Sequence, residues 1–282
     1  MNQEFCKLRI LVRDDGSTDR TLSIVESFAR VHKFIDIVAG KNIGVNESFF
    51  ELLQLAPNSA DYFAFCDQDD VWDADKITKA VCALQEKATP EPTMYCSRVR
   101  IVDENLKPLS FSPLAARGPS FENALVENIA FGCTIMLNAY ARRLLISRLP
   151  NVDHVFSYDW WMYLVLSTFG LIVYDRQATL AYRQHASNTF GASTGMWRLL
   201  RRLERFRNSD YRFGISEQAR ELHYIFGDTL NTGRRKVLDE FLQGIRDRRV
   251  LRRVRYAFKS NVHRQSVMDD IILKCLVCAG RV

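Results

Sequence analysis

Three carboxylates, Asp67, Asp69 and Asp70, follow directly on the apolar run Tyr62-Phe63-Ala64-Phe65-Cys66. An apolar segment that ends so abruptly in acids has the pattern of a buried strand delivering oxygen ligands to the rim of a sheet. Carboxylates at i and i+2 on a turn can share one divalent cation, and Mg2+ or Mn2+ favours such hard oxygen ligands. A cation held there would neutralise a bound diphosphate. The same turn can also be the solvated end of a strand, so its neighbours in the chain decide what it means.

The elements that must position it alternate between strand and helix. Residues 8–13 read as a short buried strand, followed by the loop Asp14-Asp15-Gly16-Ser17-Thr18-Asp19. Ser17 or Thr18 could cap a helix that carries Leu22, Val25 and Phe28 on one face. Residues 34–39 read as a second strand, ahead of Gly40-Lys41-Asn42-Ile43-Gly44 and a helix bearing Phe49, Leu52, Leu53 and Leu55. The strand before Asp67 comes next, then a helix over 76–87. This alternation predicts an α/β sheet of largely parallel strands, in which ligands collect at the carboxyl ends. The loops at 14–19, 40–46 and 67–70 would share that edge.

Beyond these units the pattern loosens. Strands are expected over 93–102 and 129–137, and an apolar helix opens at Ser157-Tyr158-Asp159-Trp160-Trp161. Two further strands, 171–174 and 179–183, lead into Gln184-His185. From Gly195 the composition changes: Trp197, Leu200 and Leu203 form a stripe among arginines, and a second basic helix is expected from about 234 to 259. Residues 1–193 carry 19 Lys and Arg against 23 Asp and Glu, whereas residues 194–264 carry 18 against 8. The shift divides the chain into an acidic unit, 1–193, and a basic helical region, 194–282. A basic amphipathic helix can lie on anionic lipid. The alternative is that its apolar stripe packs inward and its arginines face water. No nucleic-acid-binding module accompanies the charge.

Composition excludes several classes. Apolar content of 47% with 26% charged residues is that of a globular protein. The seven scattered cysteines, of which only Cys275 and Cys278 are closely spaced, point to a reducing cytoplasm and away from a zinc site. No apolar stretch reaches membrane-spanning length.

Taken in order, Asp14–Asp19, Asp67-Gln68-Asp69-Asp70-Val71-Trp72, and Tyr158-Asp159-Trp160-Trp161 with Tyr182-Arg183-Gln184-His185 resemble family 2 inverting glycosyltransferases of the GT-A fold, particularly the rhamnosyltransferase-like branch. The resemblance covers roughly residues 5–190. It implies transfer of a sugar, L-rhamnose by similarity, from a nucleotide-diphosphate donor such as dTDP-rhamnose to a hydroxyl of a lipid-linked or polysaccharide acceptor. It also implies Mg2+ or Mn2+ held by Asp67 and Asp69, with Asp69 the direct ligand and His185 near the metal or diphosphate. Asp159 would be the base, with Trp160 and Trp161 offering an acceptor surface, unless one of the two belongs to the core. Asp14, Asp15, Asn42 and Gly44 would line the nucleotide, Asp67 would face the diphosphate, and Arg183 would meet the phosphates. By the same resemblance one more strand and helix, with a Pro/Thr-Tyr-Asn-like motif cradling the base, is expected ahead of residue 8. A start codon placed too far downstream would explain that departure, and a fragment with impaired donor binding is the other expectation. The enzyme is expected in the cytoplasm, peripheral to the inner face of the plasma membrane.

Two rivals use the same residues. In a haloacid-dehalogenase-like phosphatase, Asp67 would be the nucleophile and Asp69 the acid/base. That chemistry calls for a second acidic motif, and Gly227-Asp228 lacks the second acid. A catalytically impaired glycosyltransferase remnant would act as a binding protein.

Overall fold

The computed structural model describes residue 3 and residues 7–87, 90–184 and 209–282. The first unit is a parallel pair, β1 (Ile10–Asp14) and β2 (Ile35–Ala39), in register from Ile10 opposite Ile35 to Asp14 opposite Ala39. They are joined by helix α1 (Thr21–Val31), which has no buried residue; Phe28 is 55% exposed. The expected cap is not made by Ser17 or Thr18. Asp19 Oδ1 accepts the Thr21 amide at 2.8 Å instead, the helix starting only at Thr21.

Helix α2 (Val45–Leu55) leads to β3 (Tyr62–Ala64), then β4 (Val71–Trp72) and helix α3 (Lys76–Gln85). The main sheet is completed by β5 (Thr93–Val102), β6 (Pro108–Phe111), β7 (Met136–Asn138) and β8 (Leu171–Arg183). Its order is β3-β7-β5-β8-β4, with β6 paired to β5. Among the described residues this sheet has one parallel and four antiparallel strand pairs, the parallel β1–β2 pair standing apart, so it is mixed rather than largely parallel. Strand β5 lies at its centre, with Met94, Tyr95, Cys96 and Val99 fully buried, and its near-continuous apolar sequence reflects cover on both faces.

Two expected elements differ. The run over 129–137 is divided, since Gly132–Thr134 forms a 3-10 turn before the short β7. The two strands expected over 171–183 are one strand, β8, whose pairing with β5 shifts register after Ser97.

Helices α4 (Phe121–Ala124) and α5 (Ala139–Ser147) flank the sheet, and α6 (Tyr158–Phe169) runs through the core. Trp160 through Leu166 are all within 1% of full burial. A helix apolar on every side has to be enclosed on every side.

The carboxyl-terminal part comprises α7 (Ser209–Phe226), α8 (Thr232–Arg246), α9 (Val250–Lys259) and α10 (Val267–Ala279). The single basic helix expected over 234–259 is broken at Asp247, which is extended and accepts the Arg249 amide at 2.8 Å. Ile215, Leu222, Phe241 and Leu273 join the same core cluster as Trp160 and Leu164. The change in charge near residue 193 is therefore not a change of core. Buried Arg264 reinforces the junction by donating to the Val126 carbonyl at 2.9 Å. The basic stripe at 196–207 lies outside the described residues. Among those described, no helix is long and apolar enough to cross a membrane.

Candidate active site

The loop after β1 is built by mutual satisfaction. Asp15 accepts the Ile43 amide at 2.8 Å and the Gly44 amide at 3.0 Å, and it pairs with Arg13. Arg13 also reaches Glu51 at 2.5 Å and the Lys41 carbonyl at 3.1 Å. The Ile43 amide, with help from Arg13, holds the Asp15 carboxyl below the usual carboxylate range. Gly16 has φ +79°, and a side chain there would press on the Asn42 amide at 3.0 Å. Only a residue without a Cβ allows both that conformation and that approach. Residues 14–16 and 40–44 thus form one stapled surface. Asn42 is exposed on it, and Asp14 is buried beneath it with Oδ2 on the Ser17 amide and Oδ1 without a hydrogen-bond partner.

The acidic turn after β3 is built the opposite way. Burial, then the charges of Asp70, Asp69 and Asp159, push the Asp67 carboxyl up to about 7. Burial also raises Asp70, whose Oδ1 accepts the Arg183 amide at 3.1 Å while Oδ2 has no partner. The Cys133 thiol beside Asp70 is held well above its ordinary value by burial and by the two aspartates, so it stays neutral. The ligating atoms of Asp67, Asp70 and Cys133 lie within 4.8 Å of one another. Beneath them Lys76 is fully buried. Its ammonium sits 4.3 Å over the Trp72 ring, and burial lowers it to about 8. With an orphaned buried oxygen on Asp70, the set suits a hard cation.

Asp159 opens α6. Its Oδ1 accepts the Trp160 amide at 2.7 Å and the Ser157 hydroxyl at 2.5 Å, and its Oδ2 accepts the Gly132 amide at 3.2 Å. Burial raises its proton affinity against these bonds. Asn46 ties the two loop systems together. It donates to the Val155 carbonyl at 3.1 Å and accepts the Tyr158 amide at 2.9 Å. Tyr158 stacks on Phe49 at 4.1 Å, and its hydroxyl occupies the space that any side chain at Gly132 would need.

The structure therefore brings Asp67, Asp70 and Asp159 into one electrostatic neighbourhood with Asp69. Arg183 contributes its backbone amide to Asp70, and its guanidinium donates to the Glu104 carbonyl at 3.3 Å. His185 lies outside the described residues. Trp160 and Trp161 are 1% and 0% exposed, and the Trp160 indole donates to the Ala124 carbonyl at 2.7 Å. Neither can present a face to an acceptor, so the expected stacking platform is corrected to a core role. Lys76, Cys133, Tyr158 and Asn46 had no assigned role in the sequence. Of these only Tyr158 carried a signal, its place beside Asp159.

Residues 1–147 match the family model described as glycosyl transferase family 2, and the chain belongs to that family. It is 28% identical over 238 residues to the dTDP-rhamnosyl transferase RfbG of Shigella flexneri, covering 79% of this chain and 78% of that protein. It is 23% identical over 210 residues to the putative teichuronic acid biosynthesis glycosyltransferase TuaG of Bacillus subtilis (strain 168), covering 73% and 80%. The fold matches S. aureus TarS 1-349 with a TM-score of 0.54 at 15% identity, covering 99% of this chain and 81% of that one. The fold is the α/β GT-A glycosyltransferase fold, and the protein is a glycosyltransferase. The phosphatase reading falls with that finding. Asp228 sits after α7, paired to Arg148 at 2.7 Å.

Proposed function

We propose that this enzyme transfers L-rhamnose from a deoxythymidine-diphosphate donor to a hydroxyl of a cell-surface glycan acceptor, with inversion at the anomeric carbon. The observation that carries the reading is the convergence of Asp159 on the acidic turn: its Oδ2 accepts the Gly132 amide at 3.2 Å, and the adjoining Cys133 lies within 4.8 Å of the Asp67 and Asp70 ligand atoms. A displacement with inversion needs the leaving group and the base on opposite sides of one carbon. An acidic turn paired with a separate recessed carboxylate supplies both sides.

The donor nucleotide would lie over the stapled loops, with Asp15 facing its base and ribose, Asp14 behind it, and Asn42 and Gly44 along its edge. Asp67 and Asp69, with Asp70 beside them, would hold Mg2+ or Mn2+. His185 is the further ligand implied by the resemblance. A bound cation would supply neutralisation of the diphosphate as it leaves. Asp159 would take the acceptor's proton. Its Ser157, Trp160 and Gly132 contacts fix the carboxylate, and its raised proton affinity suits a base. Arg183 would reach the phosphates by turning its guanidinium away from Glu104. The rhamnosyl assignment is supported by the similarity to RfbG. The acceptor class rests on relatives named for surface-polymer synthesis.

The test is binding of dTDP-, UDP- and GDP-sugars with and without Mn2+, followed by calorimetry. Preferred, metal-dependent binding of dTDP-rhamnose is expected. Tighter binding of a UDP- or GDP-sugar would overturn the donor assignment, and equal binding with a chelator present would overturn the cation.

A further inference from the structure

Helices α9 and α10 carry an outward face that the transfer reaction does not use. On α9, Leu251, Val254 and Phe258 recur at i, i+3 and i+7, which places them along one stripe. The next stripe around the helix repeats the same spacing with Arg252, Arg255 and Lys259. The third side packs inward through Ala257, and Arg253 crosses to the Cys278 carbonyl at 3.0 Å. Leu251 is 84% exposed and Phe258 73%, so the strong amphipathicity of α9 points its apolar side at solvent. Phe258 borders a groove of about 450 Å3 together with Ile271 and Cys275 of α10. Val267, Met268 and Ile271 extend the same apolar face along α10, each about half exposed or more.

The charge around this face has one sign. Residues 248–282 contain nine Lys and Arg against two acids, Asp269 and Asp270. Both acids are turned inward at 9% exposure, with Asp270 accepting the Arg264 amide at 3.0 Å and pairing with Lys274 at 3.2 Å. Among the described residues, Arg255 and Lys259 have no ion-pair partner, and Arg252 has Asp247 at 3.6 Å. A folded core would have drawn Leu251 and Phe258 in, and a water-facing surface gains nothing from them. An apolar stripe flanked by long cationic side chains matches the boundary between acyl chains and anionic headgroups, where arginine and lysine stems extend toward the phosphates.

We infer that the α9–α10 face is a docking surface for an anionic phospholipid bilayer, with Leu251, Phe258 and the exposed apolar residues of α10 entering the interface and Arg252, Arg255 and Lys259 contacting lipid phosphates. This attachment is independent of the donor, acceptor and metal assignments. It lies on helices that share the core of the catalytic fold, so binding would hold the enzyme rigidly against the surface.

The test is co-sedimentation of the full chain with vesicles of phosphatidylcholine alone or with about a third phosphatidylglycerol. The wild-type protein should bind the anionic vesicles at low salt, and about tenfold more weakly to neutral vesicles or at high salt. Leu251→Glu with Phe258→Glu should weaken binding about tenfold or more, as should Arg252, Arg255 and Lys259 changed together to Gln. Tyr224→Glu, an exposed position on α7, should bind as wild type, and circular dichroism should show all variants folded. Wild-type protein left in the supernatant of anionic vesicles at low salt would overturn the inference. So would unchanged binding by both face variants. A dimer in light scattering that Leu251→Glu dissociates, with vesicles ignored, would assign the face to a second copy instead.

Discussion

Two acidic loops follow strands in this molecule, and their carboxylates live under opposite conditions. In the loop after β1 Asp15 is answered: it has two backbone amides and Arg13, and its proton affinity is lowered. At 67–70 the acid is left over: Asp67 is raised to about 7 by burial and by three other aspartates, and Lys76 is a recessed, weakened counter-charge. The same residue type is a staple in one loop and an unmet demand for positive charge in the other. The first loop shapes a surface for a ligand, and the second is suited to take up a cation and the phosphates it accompanies. Asn46 ties the start of α2, just after the stapled loop, to the segment before Asp159.

One substitution made in both places should break the symmetry most visibly. Asp67→Asn should reduce sugar transfer by about a hundredfold or more while raising the melting temperature of the metal-free protein, because it removes repulsion among buried carboxylates. Asp15→Asn should lower the melting temperature, since it weakens the bonds joining the two loops. A fall in melting temperature for both would mean that the acidic turn is as well satisfied as the staple. Thermal unfolding together with a transfer assay decides it.

Acidity separates the loops next. The folded Asp67 keeps its proton up to about pH 7, whereas the unfolded carboxyl loses it near 3.8. Folding therefore binds a proton between those values, and the stabilisation from this group is present at low pH and lost as pH rises through about 7. Asp15, lowered in the folded state, contributes with the opposite sign, stabilising above the unfolded value and fading as pH falls. For Mn2+, which competes with the Asp67 proton, affinity should climb about tenfold per pH unit up to neutrality and then level off. Calorimetric titration across that range checks the slope, and a flat profile would remove Asp67 from the cation site.

Smaller effects mark the supporting structure. Trp160→Phe leaves the Ala124 carbonyl unpaired in the core and should cost about 1–3 kcal/mol in denaturant unfolding without changing the acceptor KM. A raised KM would restore an acceptor role. Gly16→Ala, forced into the left-handed region, should cost about 1–2 kcal/mol and weaken nucleotide binding while leaving Mn2+ affinity unaltered.

What the sequence made legible follows the same division. The strand at 93–102 was readable to the residue because the apolar run Met94-Tyr95-Cys96 marks a central strand covered on both faces and the apolar residues Val99, Ile101 and Val102 carry it on. The acid-bearing loops were readable because apolar runs stop sharply at them. The run at 129–137 misled, since it is apolar for two reasons: Ile135 to Leu137 serve the core, while Gly132 is small to clear Tyr158. Asp-Trp-Trp suggested aromatic faces near a sugar, while the apolar residues on every side of α6 already pointed to enclosed indoles. Lys76 was invisible because a lysine opening a helix is ordinarily solvated, and only the fold puts it under Trp72. The division of Asp67 from Asp15 was equally hidden. It depends on which backbone amides arrive beside each carboxylate.

The sharpest test sets transfer beside donor binding in Asp159→Asn. Asparagine keeps the side chain's shape, and its one oxygen can still accept from the Trp160 amide and the Ser157 hydroxyl at the loss of the 3.2 Å bond from the Gly132 amide, but it cannot take a proton from the acceptor. Transfer should fall by about a hundredfold or more with donor affinity unchanged. Equal loss of both would show that Asp159 only holds α6 in place, and full transfer by the variant would show that the base lies elsewhere.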